Sequence, residues 1–298
     1  MTPLVSLVTP FYNAMPYFKE YLASAAAQTW RPLELILVDD GSTDGSWEYL
    51  QKTIPILEEK GIAVYPVRKP HKSQAAAVNA ALPLISGEYF TWCDADDRMA
   101  PESIEKKVKF LMEHPQLGMV RNDGRWFDGD TGRQKFIFSK ERDRRTQDIF
   151  DALFRSKTYC MAGSYMLRTS LFFTCYPNKQ IPLSPEGQNL QLLLPPASRS
   201  ECGFLPDFLM DYCQHRQGHS LKKRSFLENV ARINNFSRLR RAILPYCACD
   251  LQYYRRVDKM VTRQEKQRFY REVRQAVVQK YKQKIRKALK GVFRSDVC

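Results

Sequence analysis

The chain has no uninterrupted apolar run near the ~18 residues that a membrane-spanning helix needs. Its first residues lack the basic-then-apolar pattern of a secretory leader. It has no CxxC pair, and its eight cysteines, at 93, 160, 175, 202, 213, 247, 249 and 298, follow no regular spacing. Zinc sites usually show closely paired ligands, and a chain of 298 residues does not need disulfide staples. Reduced thiols in a cytosolic protein are the expectation. GxGxxG, GxxxxGK[ST] and HExxH are all missing, which disfavours dinucleotide-linked redox chemistry, P-loop hydrolysis and zinc proteolysis. His215 and His219 are four residues apart and would share a helical face, but Gly218 lies between them, so no zinc site is expected there.

Negative charge is the scarcer sign. Thirty-two Asp and Glu stand against 47 Lys and Arg, a net charge of +15, while hydrophobic residues make up an ordinary 44%. Such an excess favours polyanionic partners. Twelve Lys/Arg against three Asp/Glu lie between Met260 and Cys298, so nine of the net fifteen charges belong to the tail. From Arg263 to Phe293, the residues Tyr270, Val273, Val277, Tyr281, Ile285, Ala288 and Val292 recur at a mean step of about 3.67, close to the helical period. Two uses of this helix stand side by side. It lies on an anionic membrane surface, or it docks on the folded domain with its charges in water. Binding of nucleic acid by the tail is the weakest reading, because aromatic interleaving is sparse and no RNA-binding motif is present.

What the first 120 residues contain is regular alternation. β-rich runs at Val5–Thr9, Leu33–Val38, Ala63–Val67 and Tyr89–Cys93 are each followed by a helical pattern, at Tyr17–Gln28, Ser46–Lys60, Ser73–Ile85 and Pro101–His114. Thr43 or Asp44 is placed to cap the second helix, Pro55 should kink or split it, and the third should end near Pro83. Four βα units in succession imply a parallel sheet with right-handed crossovers and helices on both faces. Ligands of such sheets bind beyond the carboxyl ends of the strands. Four polar clusters fall there: Thr9–Asn13, Asp39–Ser42, Arg68-Lys69 and Asp94–Asp97. After Gly118 the alternation stops. Strands are expected at 119–121, 125–127, 161–167 and 204–213, and helices at 146–154 and 187–194, the last stopped by Pro195-Pro196.

A strand ending in Asp94-Ala95-Asp96-Asp97 concentrates repulsion unless a cation or hydrogen-bond donors compensate. In Asp-x-Asp the first and third side chains point the same way, and carboxylate oxygens suit Mg²⁺ or Mn²⁺ bound together with substrate phosphates. A helix cap or a turn is the plainer use of the same residues. At Asp39-Asp40-Gly41-Ser42 one carboxylate can serve the turn, leaving a second for a nucleobase N–H or ribose hydroxyls. Tyr12 offers a flat ring beside it.

Taken together, Val8-Thr9-Pro10-Phe11-Tyr12-Asn13, Leu37-Val38-Asp39-Asp40-Gly41-Ser42-Thr43-Asp44, Ala77-Val78-Asn79-Ala80-Ala81, and Ser86-Gly87-Glu88-Tyr89 through Asp94-Ala95-Asp96-Asp97 resemble the family 2 glycosyltransferases, in order and spacing, over about the first 115 residues. The resemblance implies an α/β fold of GT-A type: a mostly parallel, Rossmann-like sheet flanked by helices, here with a C-terminal basic helical extension. It implies a glycosyltransferase that uses a nucleotide-diphosphate sugar and a divalent cation, Mn²⁺ or Mg²⁺, with inversion. Residue by residue, Thr9 and Tyr12 would lie around the base, Asp40 would accept from it and Asp39 would shape the same turn. Asp94 would face ribose or sugar, Asp96 would bind the metal, and Asn79 would border the pocket. Val78 stands where the family often has Arg, and Gln74 or Lys72 is placed to replace that contact.

Members of the family usually carry an acidic pair at the start of a helix in the second half. Here Gln188 and Asn189 occupy those positions, and amides take no proton at neutral pH. Glu186 is the candidate general base, and His219 is a candidate contact to the diphosphate or acceptor. The expected organisation is a catalytic domain over 1–222, with a nucleotide-sugar half (1–118) and an acceptor half (119–222), followed by a helical basic region over 223–298. The expected partners are the donor and a hydroxyl acceptor that is free or lipid-linked, with an anionic membrane surface reached through the C-terminal helix and no nucleic acid. A cytoplasmic enzyme, peripheral at the inner face of the cell membrane when the tail binds lipid, is the reading that follows. A catalytically degenerate sugar-nucleotide binder is the alternative.

Overall fold

The computed structural model describes residues 2–215 and 224–292. The first half is β1 (Val5–Phe11), α1 (Met15–Ala26), β2 (Leu33–Asp39), α2 (Ser46–Glu59), β3 (Ile62–Arg68), α3 (Gln74–Ala81), β4 (Tyr89–Trp92), β5 (Arg98–Met99) and α4 (Ser103–Glu113). The second is β6 (Met119–Asp128), β7 (Gln134–Ile137), α5 (Glu141–Arg145), α6 (Phe150–Phe154), β8 (Tyr165–Arg168), α7 (Thr169–Cys175), α8 (Gln188–Ala197), β9 (Cys202–Gln214), α9 (Phe226–Ile243) and α10 (Leu251–Val292). The strands form one sheet in the order β3-β2-β1-β4-β8-β6-β9-β5, with β7 on β6. Strands β3, β2, β1 and β4 are mutually parallel, as the alternation predicts, and so are β6 and β9. β8 runs antiparallel between the two groups.

Alternation along the strands splits the core in two, because successive side chains point to opposite faces. Val5, Leu7 and Phe11, with Leu33, Leu35 and Leu37, pack under α1, α2 and α4. Val8, Ile36 and Val38 pack on the other face with α3, α6, α7 and α8. That second core also takes in Leu239 and Ile243 of α9 and Val257 and Val261 of α10, so the start of the helical C-terminal region packs on the sheet domain. The seven described cysteines are free thiols.

Three elements run through prolines expected to end or split them, and at two of these the local reason is visible. β1 runs through Pro10, whose missing N–H faces the side where β4 has already ended at Trp92. α2 is not split at Pro55. α8 passes both Pro195 and Pro196 to Ala197. Pro195 leaves the Gln191 carbonyl without its helical partner, and the Tyr176 hydroxyl donates to that carbonyl at 2.9 Å. The two short strands expected around 119–127 are one strand, bulged at Asp123, and the helix expected over 146–154 is only Phe150–Phe154.

Candidate active site

The chain leaves β4 at Trp92 and turns at once, with Asp97 N donating to Asp94 O at 3.2 Å. One carboxylate oxygen from each of Asp94, Asp96 and Asp97 lies within 4.8 Å of the others. Asp97 is buried and structural: its Oδ1 accepts from Cys213 N at 3.0 Å, tying the turn to β9, while Oδ2 has no partner. Asp94 and Asp96 are partly exposed. Burial, with Asp96 close by, pushes the Asp94 carboxyl up to about 7. Burial also raises Asp96, partly offset by His215, and drives Asp97 well above the carboxylate range. Crowded hard oxygens that resist ionisation fit a divalent cation of the Mg²⁺ or Mn²⁺ kind, which would be held by Asp96 and Asp94.

Other elements close around this cluster. Gln74, at the start of α3, donates from Nε2 to Asp94 Oδ1 at 3.0 Å. His215 follows the last residue of β9 directly. It is not on a helix, and the shared face imagined with His219 does not exist at this residue. Its ring stacks on Tyr17 with centroids 3.5 Å apart, and among the described residues neither ring nitrogen has a hydrogen-bond partner. Gly129 makes this possible, because a Cβ there would fall 2.2 Å from His215 Nδ1. His219 itself lies outside the described residues.

The second acidic cluster sits at the end of β2. Asp39 Oδ1 accepts from Ser42 N at 2.8 Å, and Arg68 Nε approaches its Oδ2 at 3.1 Å, so Asp39 does the turn work expected of it. Asp40 is ion-paired with Lys69, and its Oδ2 lies 2.9 Å from His71 Nδ1. The Lys72 backbone N–H donates to Asp40 as well. Tyr12 is half exposed, and its ring stacks on His71 at 4.1 Å between centroids. Residues 72 and 74 therefore touch Asp40 and Asp94 respectively. Two residues of chain span only ~7 Å, so one short segment bridges the two acidic strand ends.

Two expected pocket residues do other work. Thr9 is fully buried under α1, where its hydroxyl bonds Tyr21 OH. Asn79 clamps the second half of the chain: its Nδ2 donates to Ile181 O at 3.0 Å and its Oδ1 accepts from Ile181 N at 2.8 Å. Glu186 lies before α8, facing α9. Its Oε2 takes Arg232 Nε at 3.0 Å beside a cavity of about 270 Å³ lined by Arg224, Glu228 and Asn235. The amide at 189 is not free either, since Asn189 Oδ1 accepts from the Trp92 indole at 2.8 Å, while the buried Gln188 amide has no partner.

Residues 6–173 match the profile of glycosyl transferase family 2. The chain belongs to that family. It is 35% identical over 140 residues to an uncharacterized glycosyltransferase of Haemophilus influenzae, and 38% identical over 139 residues to a Bacillus subtilis protein, TuaG, named for teichuronic acid biosynthesis. Each match covers 47% of this chain and 54% of the relative, so the chain spans about half the length of the curated relatives it matches. Among solved structures, it resembles Staphylococcus aureus TarS in complex with UDP-GlcNAc, with a TM-score of 0.61 and 17% identity, over 84% of this chain and 69% of that one. It also resembles a Pyrobaculum calidifontis mannosyltransferase bound to GDP-Man and Mn²⁺, with a TM-score of 0.55 and 17% identity, over 88% and 74%. At such identity these two likenesses establish the GT-A-type fold of this family 2 chain. No described helix is long and apolar enough to cross a membrane.

Proposed function

We propose that this family 2 chain transfers a glycosyl group from a nucleotide-diphosphate sugar to a hydroxyl of a bacterial surface polymer or glycolipid, with inversion at the anomeric carbon. The observation that carries the proposal is the convergence of Asp94, Asp96 and Asp97 within 4.8 Å, in surroundings that resist their ionisation. Such a cluster calls for a cation, and the segment at 72–74 joins it to the Asp40 pocket. The names of TuaG and the ligands of the TarS and mannosyltransferase structures support the same class of donor and product.

In this reading Tyr12 and Asp40 hold the nucleoside, with His71 moving off the Tyr12 ring to admit the base. Gln74 orients Asp94 toward ribose or sugar, and Asp96, beside His215, holds the cation. A bound divalent ion supplies charge neutralisation on the departing nucleoside diphosphate. Glu186 takes the proton of the attacking hydroxyl, its orientation set by Arg232. The acceptor is lipid-linked, which places the enzyme at the cytoplasmic face of a membrane.

The test is nucleotide release from UDP-, GDP- and dTDP-sugars with Mn²⁺. Asp96→Ala is expected to lower turnover at least ~10³-fold, and unchanged turnover overturns the assignment. Glu186→Gln is expected to cost ~10²–10⁴-fold if it is the base. The Gln188-Asn189 amides favour one other reading, a sugar-nucleotide binder without turnover. Calorimetric binding of a donor with no transfer to any acceptor would establish it.

A further inference from the structure

Helix α10 is lopsided in charge, with fourteen Lys/Arg against three Asp/Glu over its 42 residues. Its acids are used internally. Asp258 is fully buried, accepting from Arg240 Nε and Arg241 Nε at 2.8 Å and from Ser237 Oγ at 2.8 Å, while Glu265 approaches Arg240 at 3.5 Å. This clamp fixes the first half of α10 on α9 and leaves the face about 100° round the helix from it turned outward. Lys259, Arg263, Lys266, Tyr270, Val273 and Val277 follow one another at steps of four and three, which puts them on one helical face. That face is basic at its start and apolar at its end.

Neither end is covered by the chain's own described residues. Lys259, Arg263 and Lys266 line an open groove of about 450 Å³ against Arg241, and among the described residues none of the three makes an ion pair. Tyr270 and Val277 are 46% and 49% exposed, so the apolar stripe that could have docked on the domain does not do so in this part. The stripe continues beside Phe226 and Leu227 of α9, 48% and 75% exposed, with Phe226 stacked on Tyr270 at 5.9 Å. A groove of unpaired cations next to aromatic and aliphatic side chains left in water matches both layers of an anionic bilayer surface, phosphate and upper acyl chain.

We propose that this face of α10 docks on an anionic lipid bilayer, with Lys259, Arg263 and Lys266 on headgroup phosphates and Tyr270, Val277 and Phe226 in the interfacial layer. The docking deepens the reading above, resting on it only for the membrane-bound acceptor. The full chain is sedimented with vesicles of phosphatidylcholine alone or with about one third phosphatidylglycerol, without donor. Binding is expected on the anionic vesicles, at least about tenfold weaker on the neutral ones, and falling as salt rises. Charge reversal by Lys259→Glu, Arg263→Glu and Lys266→Glu together is expected to weaken it about a hundredfold or more. The milder Tyr270→Ser with Val277→Ser is expected to weaken it several-fold, with unchanged circular dichroism. Equal binding to both vesicle types, or full binding by the charge-reversed variant, overturns the proposal. So does retention of single-stranded RNA, but not of vesicles, by the unaltered chain. Nucleotide release by the charge-reversed variant is expected to be unaltered. If no donor is turned over while anionic vesicles still bind, the catalytic reading fails and the docking surface stands.

Discussion

The molecule concentrates like charges in two places and treats them in opposite ways. At the end of β4 three carboxylates crowd within 4.8 Å, one of them buried and the other two only partly exposed. On α10 fourteen cations are spread along a helix, and those at 259 and 263 stand in solvent. Repulsion is strong where the dielectric is low and weak where water and salt screen it. The first arrangement therefore needs a specific partner to be stable in its charged form. The second tolerates solvent without one.

The largest expected effect tests the buried side. A carboxyl that titrates near 7 in the folded chain and near 4 when unfolded favours the protonated form on folding. Without metal, this group's contribution to stability should be greatest below about pH 4, fall as pH rises, and level off above about 7. The loss is on the order of 4 kcal/mol, of which roughly two thirds falls between pH 5 and pH 8. Urea unfolding with a chelator at pH 5 and pH 8 measures that part. Asp94→Asn should flatten the dependence, and Mn²⁺ should restore stability at the higher pH. Next comes a buried charge that already has its partners. Arg240→Ala leaves Asp258 buried without its main cation and should cost about 3–5 kcal/mol in the same assay, detaching α10 from α9. The smallest effect is expected on the exposed side, where Arg263→Ala and Lys266→Ala should each shift stability by less than about 0.5 kcal/mol. A large loss there would mean that these cations are structural and would erase the contrast.

Much of the first half was legible because its signals are local. Apolar runs at Leu33–Val38 and Tyr89–Trp92, separated by helical patterns, leave a parallel sheet as the economical solution, and the acids at the strand ends follow from chain direction alone. The family resemblance drawn from the same four segments agrees with the profile match over 6–173. Side-chain partners were less legible. Thr9 and Asn79 carry side chains suited to a pocket, yet Thr9 is engaged by Tyr21 of the next helix and Asn79 by Ile181, 102 residues away. His215 was read together with His219 as a helical pair. Its place beside Asp96 depends on β9 pairing with β6 and β5, contacts made across 83 to 113 residues of chain. A single histidine after an expected strand at 204–213 was the only signal available for it.

Periodicity and chain direction thus determined by themselves the βα alternation, the edge of the sheet where acids gather, and the basic helical end, since each depends on neighbours a few residues apart. Tertiary structure decided which acids meet, that Asn79 and Asn189 serve as brackets, that Glu186 faces Arg232, and that Tyr270 and Val277 stay in water. Those outcomes depend on the packing of distant segments, where the position of one side chain is set by backbone that its own sequence neighbourhood does not encode.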